Sequence, residues 1–267
     1  MLTSNFDKIA IIGCGNMGAA IAERLSADKQ LLFYDRHPEK IKLLVDKGFG
    51  KSTNSLKEAV TQSNLVILAI KPQNLEQSAA AIQESLTPSH TLVSLLTSIT
   101  LKQLNTYFPN CQIVRMMPNI PLLCGEGMIG LCSDENDNST YKEHLTSLFA
   151  PLGKILWLPE NKMDAFTALA GSGPAFVFAI TEAMIEAGIA LGFPAKDAQS
   201  ITYQMIRGSI NLLEKTGKHP AELKWQVTSP GGTTIAGLKT FEEHAVRSGI
   251  INTFVSTHLK GLALKTT

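Results

Sequence analysis

Two glycine-rich stretches carry the residue types and spacings that could do chemistry. The first, "IAIIGCGNMGAAIAERL", sets Gly13, Gly15 and Gly18 as G-x-G-x-x-G directly after a run of strand character and at the opening of a helix. In that context the first glycine permits a tight turn, the second lets backbone approach a pyrophosphate, and the third lets helix and strand pack closely. Asn16 and Met17 fill the turn, and the helix they begin offers unpaired N–H groups to phosphates. Asp35 ends "LLFYD", 17 positions past Gly18, where a carboxylate can take ribose hydroxyls. The chemistry implied is the binding of a nicotinamide dinucleotide. Asp35 would repel the additional phosphate of NADP, whereas Arg36 could accept it, so NADH and NADPH both stay open.

The second stretch, "VTSPGGTTIAGLKTFEEH", is loaded with hydroxyls rather than charges. Ser229, Gly231, Gly232, Thr233 and Thr234 precede or open a helical pattern. A threonine there can be an N-cap that satisfies the helix start. Two further turns follow strand-like runs. "AIKPQ" offers Ala69, Ile70, Lys71 and Pro72, and "RMMPNIP" holds Asn119 between two prolines. In open α/β folds ligands lie beyond the carboxyl ends of strands, so these turns are candidate cofactor contacts. Lys71 suits a catalytic, a phosphate-facing or a structural role.

These residues need elements to position them. "KIAIIG", "LLFYD", "LVILAI", "TLVSLL" and "QIVRMM" read as buried strands separated by helical or polar segments, and "GMIGLC" and "GKILWL" as two more. Such alternation argues for a parallel sheet with helices on both faces. After about Pro159 no strand pattern survives. Pro174 stands where a helix-opening proline is tolerated, a helix runs from near Asp197 to Lys215 with Gly217 as its stop, and two helical patterns close the chain. The expectation is an α/β, Rossmann-type dinucleotide-binding domain at 1–160 followed by an all-helical domain at 161–267.

Composition narrows the partner. Lys and Arg number 24 against 23 Asp and Glu, a formal net charge of +1 with no basic cluster, which gives no electrostatic case for nucleic acid or an anionic membrane. The opening residues lack the pattern of a secretory signal. "FVFAITEAMIEAGIALGF" is interrupted by Glu182 and Glu186 and reads as a buried helix rather than a span. Cys14, Cys111, Cys124 and Cys132 show neither C-x-x-C pairing nor histidines at ligand spacing, so structural thiols in a cytoplasmic protein without a metal are expected.

"GCGNMGAA", "AIKPQ", "RMMPNIP", "ALAGSGPAF" and "SPGGTTIAGL", in this order, resemble the pyrroline-5-carboxylate reductases along nearly the whole chain. The resemblance implies reduction of the ring C=N of 1-pyrroline-5-carboxylate to L-proline with NADPH or NADH. It implies a homodimer through the helical domains, often assembled further into a decamer. It makes the Ser229–Thr234 segment the substrate loop, and Thr234 the catalytic hydroxyl that hydrogen-bonds the ring nitrogen as hydride arrives. Leu95, Leu96 and Thr97 depart from the small, glycine-containing turn usual in the family, and Asp35 stands where many relatives have a neutral residue. A related hydroxyacid dehydrogenase would carry lysine soon after its second G-x-G, where this chain has Pro174, Ala175 and Phe176. A non-catalytic dinucleotide sensor is the remaining alternative.

Overall fold

The computed structural model describes residues 6–134 and 139–263. The chain forms two compact units. One runs to Gly171 and takes in the chain from Lys260 on, and the other is Ser172–Leu259. The division falls later than the change of texture near Pro159.

The first unit is a Rossmann-type α/β domain. Its strands are β1 (Lys8–Ile12), β2 (Gln30–Tyr34), β3 (Lys51–Ser52), β4 (Leu65–Leu68), β5 (Thr91–Ser94), β6 (Gln112–Met117), β7 (Gly127–Ser133) and β8 (Gly153–Trp157). Its helices are α1 (Asn16–Leu25), α2 (Pro38–Asp46), α3 (Leu56–Thr61), α4 (Leu75–Ile82), α5 (Leu101–Tyr107), α6 (Ser139–Phe149) and α7 (Met163–Phe166). The sheet order is β3-β2-β1-β4-β5-β6-β7-β8. Pairing is parallel throughout except between β6 and β7, where Arg115 faces Cys132 in an antiparallel ladder.

Burial follows from strands covered on both faces, which need apolar residues at successive positions rather than alternate ones. All four residues of β4 and of β5 are buried. Ile9 and Ile11 join one core with Ile21, Leu44 and Phe149 of α1, α2 and α6. Ala10 and Ile12 join the opposite core with Val60, Ile82 and Leu104 of α3, α4 and α5. Each run read as a strand is a strand. The two-residue β3 carries no apolar pattern to announce it, and the reversed direction of β7 is a property of pairing that composition does not encode.

The second unit is helical: α8 (Gly173–Ala190), α9 (Ala195–Thr216), α10 (Pro220–Gln226), α11 (Thr233–Glu243) and α12 (Val246–Ala263), the last running on into the first unit. Pro174 opens α8, and Gly217 ends α9 in the left-handed conformation at φ 62°. Gly188 lets the two long helices close up, because a Cβ there would come within 2.9 Å of the Ala198 Cβ. The buried-helix expectation for α8 is corrected. Within the chain only Gly173 of this helix is buried, and Phe178 is 63% exposed. The stretch Glu160–Ala190 is long and apolar enough to cross a membrane by length and composition.

Between α7 and α8 the chain makes a π-helix, Thr167–Gly171. Asn119 explains how it is held. Its Nδ2 donates to the Ala170 carbonyl at 2.9 Å, while its Oδ1 accepts from the Met128 N–H at 2.9 Å.

Candidate functional site

A cleft of about 500 Å³ opens at the carboxyl ends of β1, β2 and β4, where the strand order reverses. This is the switch point at which open α/β sheets take ligands. Gly13, Gly15, Asp35, Arg36, Ala69, Ile70 and Lys71 all line it, so three turns far apart in the chain meet there. Asn16, Met17 and Gly18 are not among its lining side chains. They open α1, whose N-cap Gly15 has no side-chain cap, and the first intrahelical bond runs from Ala19 to Gly15 at 2.8 Å. The N–H groups of Asn16, Met17 and Gly18 therefore have no acceptor in the helix.

The glycines divide by what demands them. Gly13 has φ 99°, and a Cβ would sit 2.4 Å from the Ala69 carbonyl oxygen. At Gly18 it would sit 2.0 Å from the Gly13 carbonyl oxygen. Both are required by the chain's own backbone. A Cβ at Gly15 would meet nothing within 4 Å, although that residue lines the cleft. The space left at Gly15 is a cradle beside uncapped N–H groups, which fits a dinucleotide pyrophosphate.

Pro72 begins a short 3₁₀ turn behind Lys71. Asn119 is 8% exposed, is not among the residues lining the cleft, and has both ends of its amide engaged by backbone. The structure thus places it under the turn that follows β6 and against the π-helix. Sequence reasoning missed Tyr34, His37, Lys40, Asn74, Gln77 and Ser78, which also line the cleft. For His37 and Lys40 a signal existed, since they follow Arg36 within one turn of the start of α2. Of the Leu95–Thr97 departure the core takes the two leucines, Leu96 being 2% exposed and Leu95 packing against the opposite core, while Thr97 is exposed. The left-handed residue of that turn is Ser98 at φ 67°, a conformation costing a non-glycine residue about 1 kcal/mol.

In the helical unit, Ser229, Pro230, Gly231 and Gly232 make a turn closed by the Gly232 N–H on the Ser229 carbonyl at 3.1 Å. Proline second and a positive φ of 68° at Gly231 third are the marks of a type II turn. A Cβ on Gly232 would lie 2.3 Å from the Ser229 hydroxyl, which would have to turn away to admit it. Gly232 is also the N-cap of α11, with no side-chain cap. This answers the capping alternative: Thr233 and Thr234 are the first two helical residues, and neither hydroxyl is used as the N-cap. The N–H groups of the first turn are uncapped here as well.

The four cysteines are free. Burial pushes the Cys14 and Cys111 thiols up to about 12 and that of Cys132 to about 11. These three are protonated at neutral pH and are poor nucleophiles. Among the described residues, no three His, Cys, Asp or Glu side chains could hold a metal ion.

Comparison with known proteins now adds to this geometry. Residues 160–263 match the family described as pyrroline-5-carboxylate reductase dimerisation, and residues 8–98 match NADP oxidoreductase, coenzyme F420-dependent. The chain is 33% identical to the pyrroline-5-carboxylate reductase of Synechocystis sp., covering 91% of this chain and 93% of that one. It is 36% identical to the enzyme of the same name from Kluyveromyces lactis, covering 91% and 92%. The crystal structure of Plasmodium falciparum pyrroline carboxylate reductase with NADP bound superposes with a TM-score of 0.86 at 28% identity, covering 98% of this chain and 99% of that one. With a relative above 30% identity matched over nine-tenths of its length, the chain belongs to the pyrroline-5-carboxylate reductase family.

Proposed function

We propose that the chain reduces the C=N bond of 1-pyrroline-5-carboxylate to give L-proline, the last step of proline biosynthesis, in the cytoplasm. The observation that carries the reading is the second uncapped helix start, α11, whose two opening threonine hydroxyls are not spent on capping. Bound in the cleft, NADH or NADPH would supply the hydride.

The chain's own residues do the rest. Gly13 and Gly15 let the turn close on a pyrophosphate, with the N–H groups of Asn16, Met17 and Gly18 donating to it. Ala69 and Ile70 line the cleft directly beside the glycine-rich turn, and Lys71, extended before Pro72, lines it with them. In the helical unit, the N–H groups behind Ser229, Gly231 and Gly232 take the substrate carboxylate. A neutral loop suits a small zwitterionic ring. The Thr234 hydroxyl hydrogen-bonds the ring nitrogen, which carries or gains a proton as its neighbouring carbon takes hydride. A C=N carbon is a good hydride acceptor once its nitrogen is protonated, so orientation and exclusion of water are the main demands on the protein.

The helical unit is further proposed to pair with a second copy. The apolar residues that α8 and α9 leave exposed need a cover, and the family match over this unit is one named for dimerisation.

The test is oxidation of NADH and NADPH with racemic pyrroline-5-carboxylate, beside a panel of hydroxyacids run in reverse. Oxidation with the imine alone is the expected result. Activity only with a hydroxyacid, or cofactor binding with no turnover, would return the reading to the dehydrogenase or the sensor. Thr234→Ala should lower kcat about a hundredfold, the scale of losing one donor to a charge developing in the transition state. Its cofactor affinity should hold. A lowered Tm with unchanged kcat would make Thr234 a packing residue.

A further inference from the structure

The residues that follow β2 fix the charge at the outer end of the cleft, and Asp35 is already occupied there. Its Oδ2 accepts from the backbone N–H of Cys14, inside the glycine-rich turn, at 2.7 Å. Its Oδ1 accepts from the N–H of His37, the N-cap of α2, at 2.9 Å. One carboxylate thus ties the phosphate-facing turn to the start of the next helix. Hydrogen bonds to an ionised acceptor are the strong ones, so this tie is not easily replaced.

Lys40 is half buried and lines the same cleft as Asp35. Burial is the main cause of the raised Cys14 thiol, the Asp35 carboxylate adds to the rise, and the Lys40 ammonium opposes it. Arg36 and His37 line the cleft beside them, with Glu39 3.6 Å from the His37 ring and pointing into solvent. At a solvated cleft mouth, repulsion between a carboxylate and a phosphate is screened, and Arg36 and Lys40 line the same cleft.

The geometry points to Asp35 as a clamp on the glycine-rich turn, with Arg36 and Lys40 as the residues that seat a ribose 2′-phosphate. The chain then takes both dinucleotides. Asp35 keeps two of its roughly four acceptor sites for ribose hydroxyls, and the two cations accommodate the phosphate. This rests on the reading of the cleft as a nicotinamide-dinucleotide site, and it changes what Asp35 does there. A carboxylate that only reads the ribose predicts a reversed preference when removed. A clamp predicts a joint loss.

The experiment is calorimetric titration of ADP and of adenosine 2′,5′-bisphosphate into the whole protein, which needs no turnover. Asp35→Asn and Asp35→Ser should weaken both ligands together by about tenfold, the scale of one hydrogen bond to a charged group. Their affinity ratio should hold. Lys40→Met should weaken the bisphosphate alone, by about tenfold. Weaker ADP with tighter bisphosphate in the Asp35 variants would overturn the clamp. An unmoved ratio in both Lys40→Met and Arg36→Met would overturn the phosphate seat. Asp35 variants that fail to fold would overturn the clamp as a ligand-positioning device, and Lys40→Met would still decide the phosphate seat. A wild-type protein that binds neither ligand would instead sink the dinucleotide reading.

Discussion

Gly18→Ala is expected to abolish measurable dinucleotide binding and to lower Tm, whereas Gly15→Ala is expected to lose binding with little change in Tm. At Gly18 the added Cβ would meet the Gly13 carbonyl oxygen at 2.0 Å. That contact is with backbone and cannot be relieved by turning a side chain. Alanine gains about 1 kcal/mol of helix propensity over glycine. Overpacking costs about 3 kcal/mol, so the clash wins. Relief would also move Gly13, whose carbonyl is the atom struck, and so open the turn. At Gly15 the backbone is extended, at φ −74° and ψ −171°, and alanine adopts it freely. The new methyl meets no protein atom, so the fold loses at most about 1 kcal/mol through a poorer N-cap. Binding should fall more than about tenfold, or 1.4 kcal/mol, because the methyl occupies the cradle. Thermal melts beside NADP⁺ titrations separate the two. Equal loss of Tm in both variants would mean that Gly15 is also a packing residue.

The second large effect is at Glu160. Its Oε1 accepts from the Arg115 guanidinium at 2.8 Å and from the Leu101 N–H, at the start of α5, at 2.6 Å. The Arg115 side chain is 3% exposed and that of Glu160 is 34% exposed, so the arginine depends on this partner. Its Nε is buried with no partner among the described residues. Removing one member of a buried pair leaves the other charge uncompensated, at about 3–5 kcal/mol. Discounted for the solvent that reaches Glu160, Glu160→Gln should cost about 2–3 kcal/mol and lower Tm by roughly 5–10 °C. Arg115→Met combined with Glu160→Leu should recover much of that loss, because no charge is left stranded. A Tm within 1–2 °C of wild type for Glu160→Gln would mean the pair contributes nothing.

The sequence made the frame of the site legible because its signals are local. The Gly13, Gly15 and Gly18 spacing, the apolar strand runs and the left-handed Gly217 all depend on near neighbours. What it did not show depends on distant ones. Arg115 reads as a polar residue in "QIVRMM", and only the fold brings Glu160 to it. Asn119 reads as a turn residue, and only the antiparallel β7 and the π-helix explain its two bonds. Asp35 was legible as a carboxylate in the right place, but its backbone partners were not. Lys40 was legible by its spacing from Arg36.

The exposure of α8 bears on how the chain behaves as it is made and diluted. The sheet domain closes a core from its own residues. The helical unit leaves Val177, Phe178 and Met184 in water until something covers them. If a second copy supplies that cover, part of the folding free energy belongs to a bimolecular step and mass action governs it. Tm should then rise with protein concentration, and dilution should destabilise the helical unit before the sheet. A dilute assay would measure a less stable catalyst than a concentrated one, with no change in sequence, ligand or buffer.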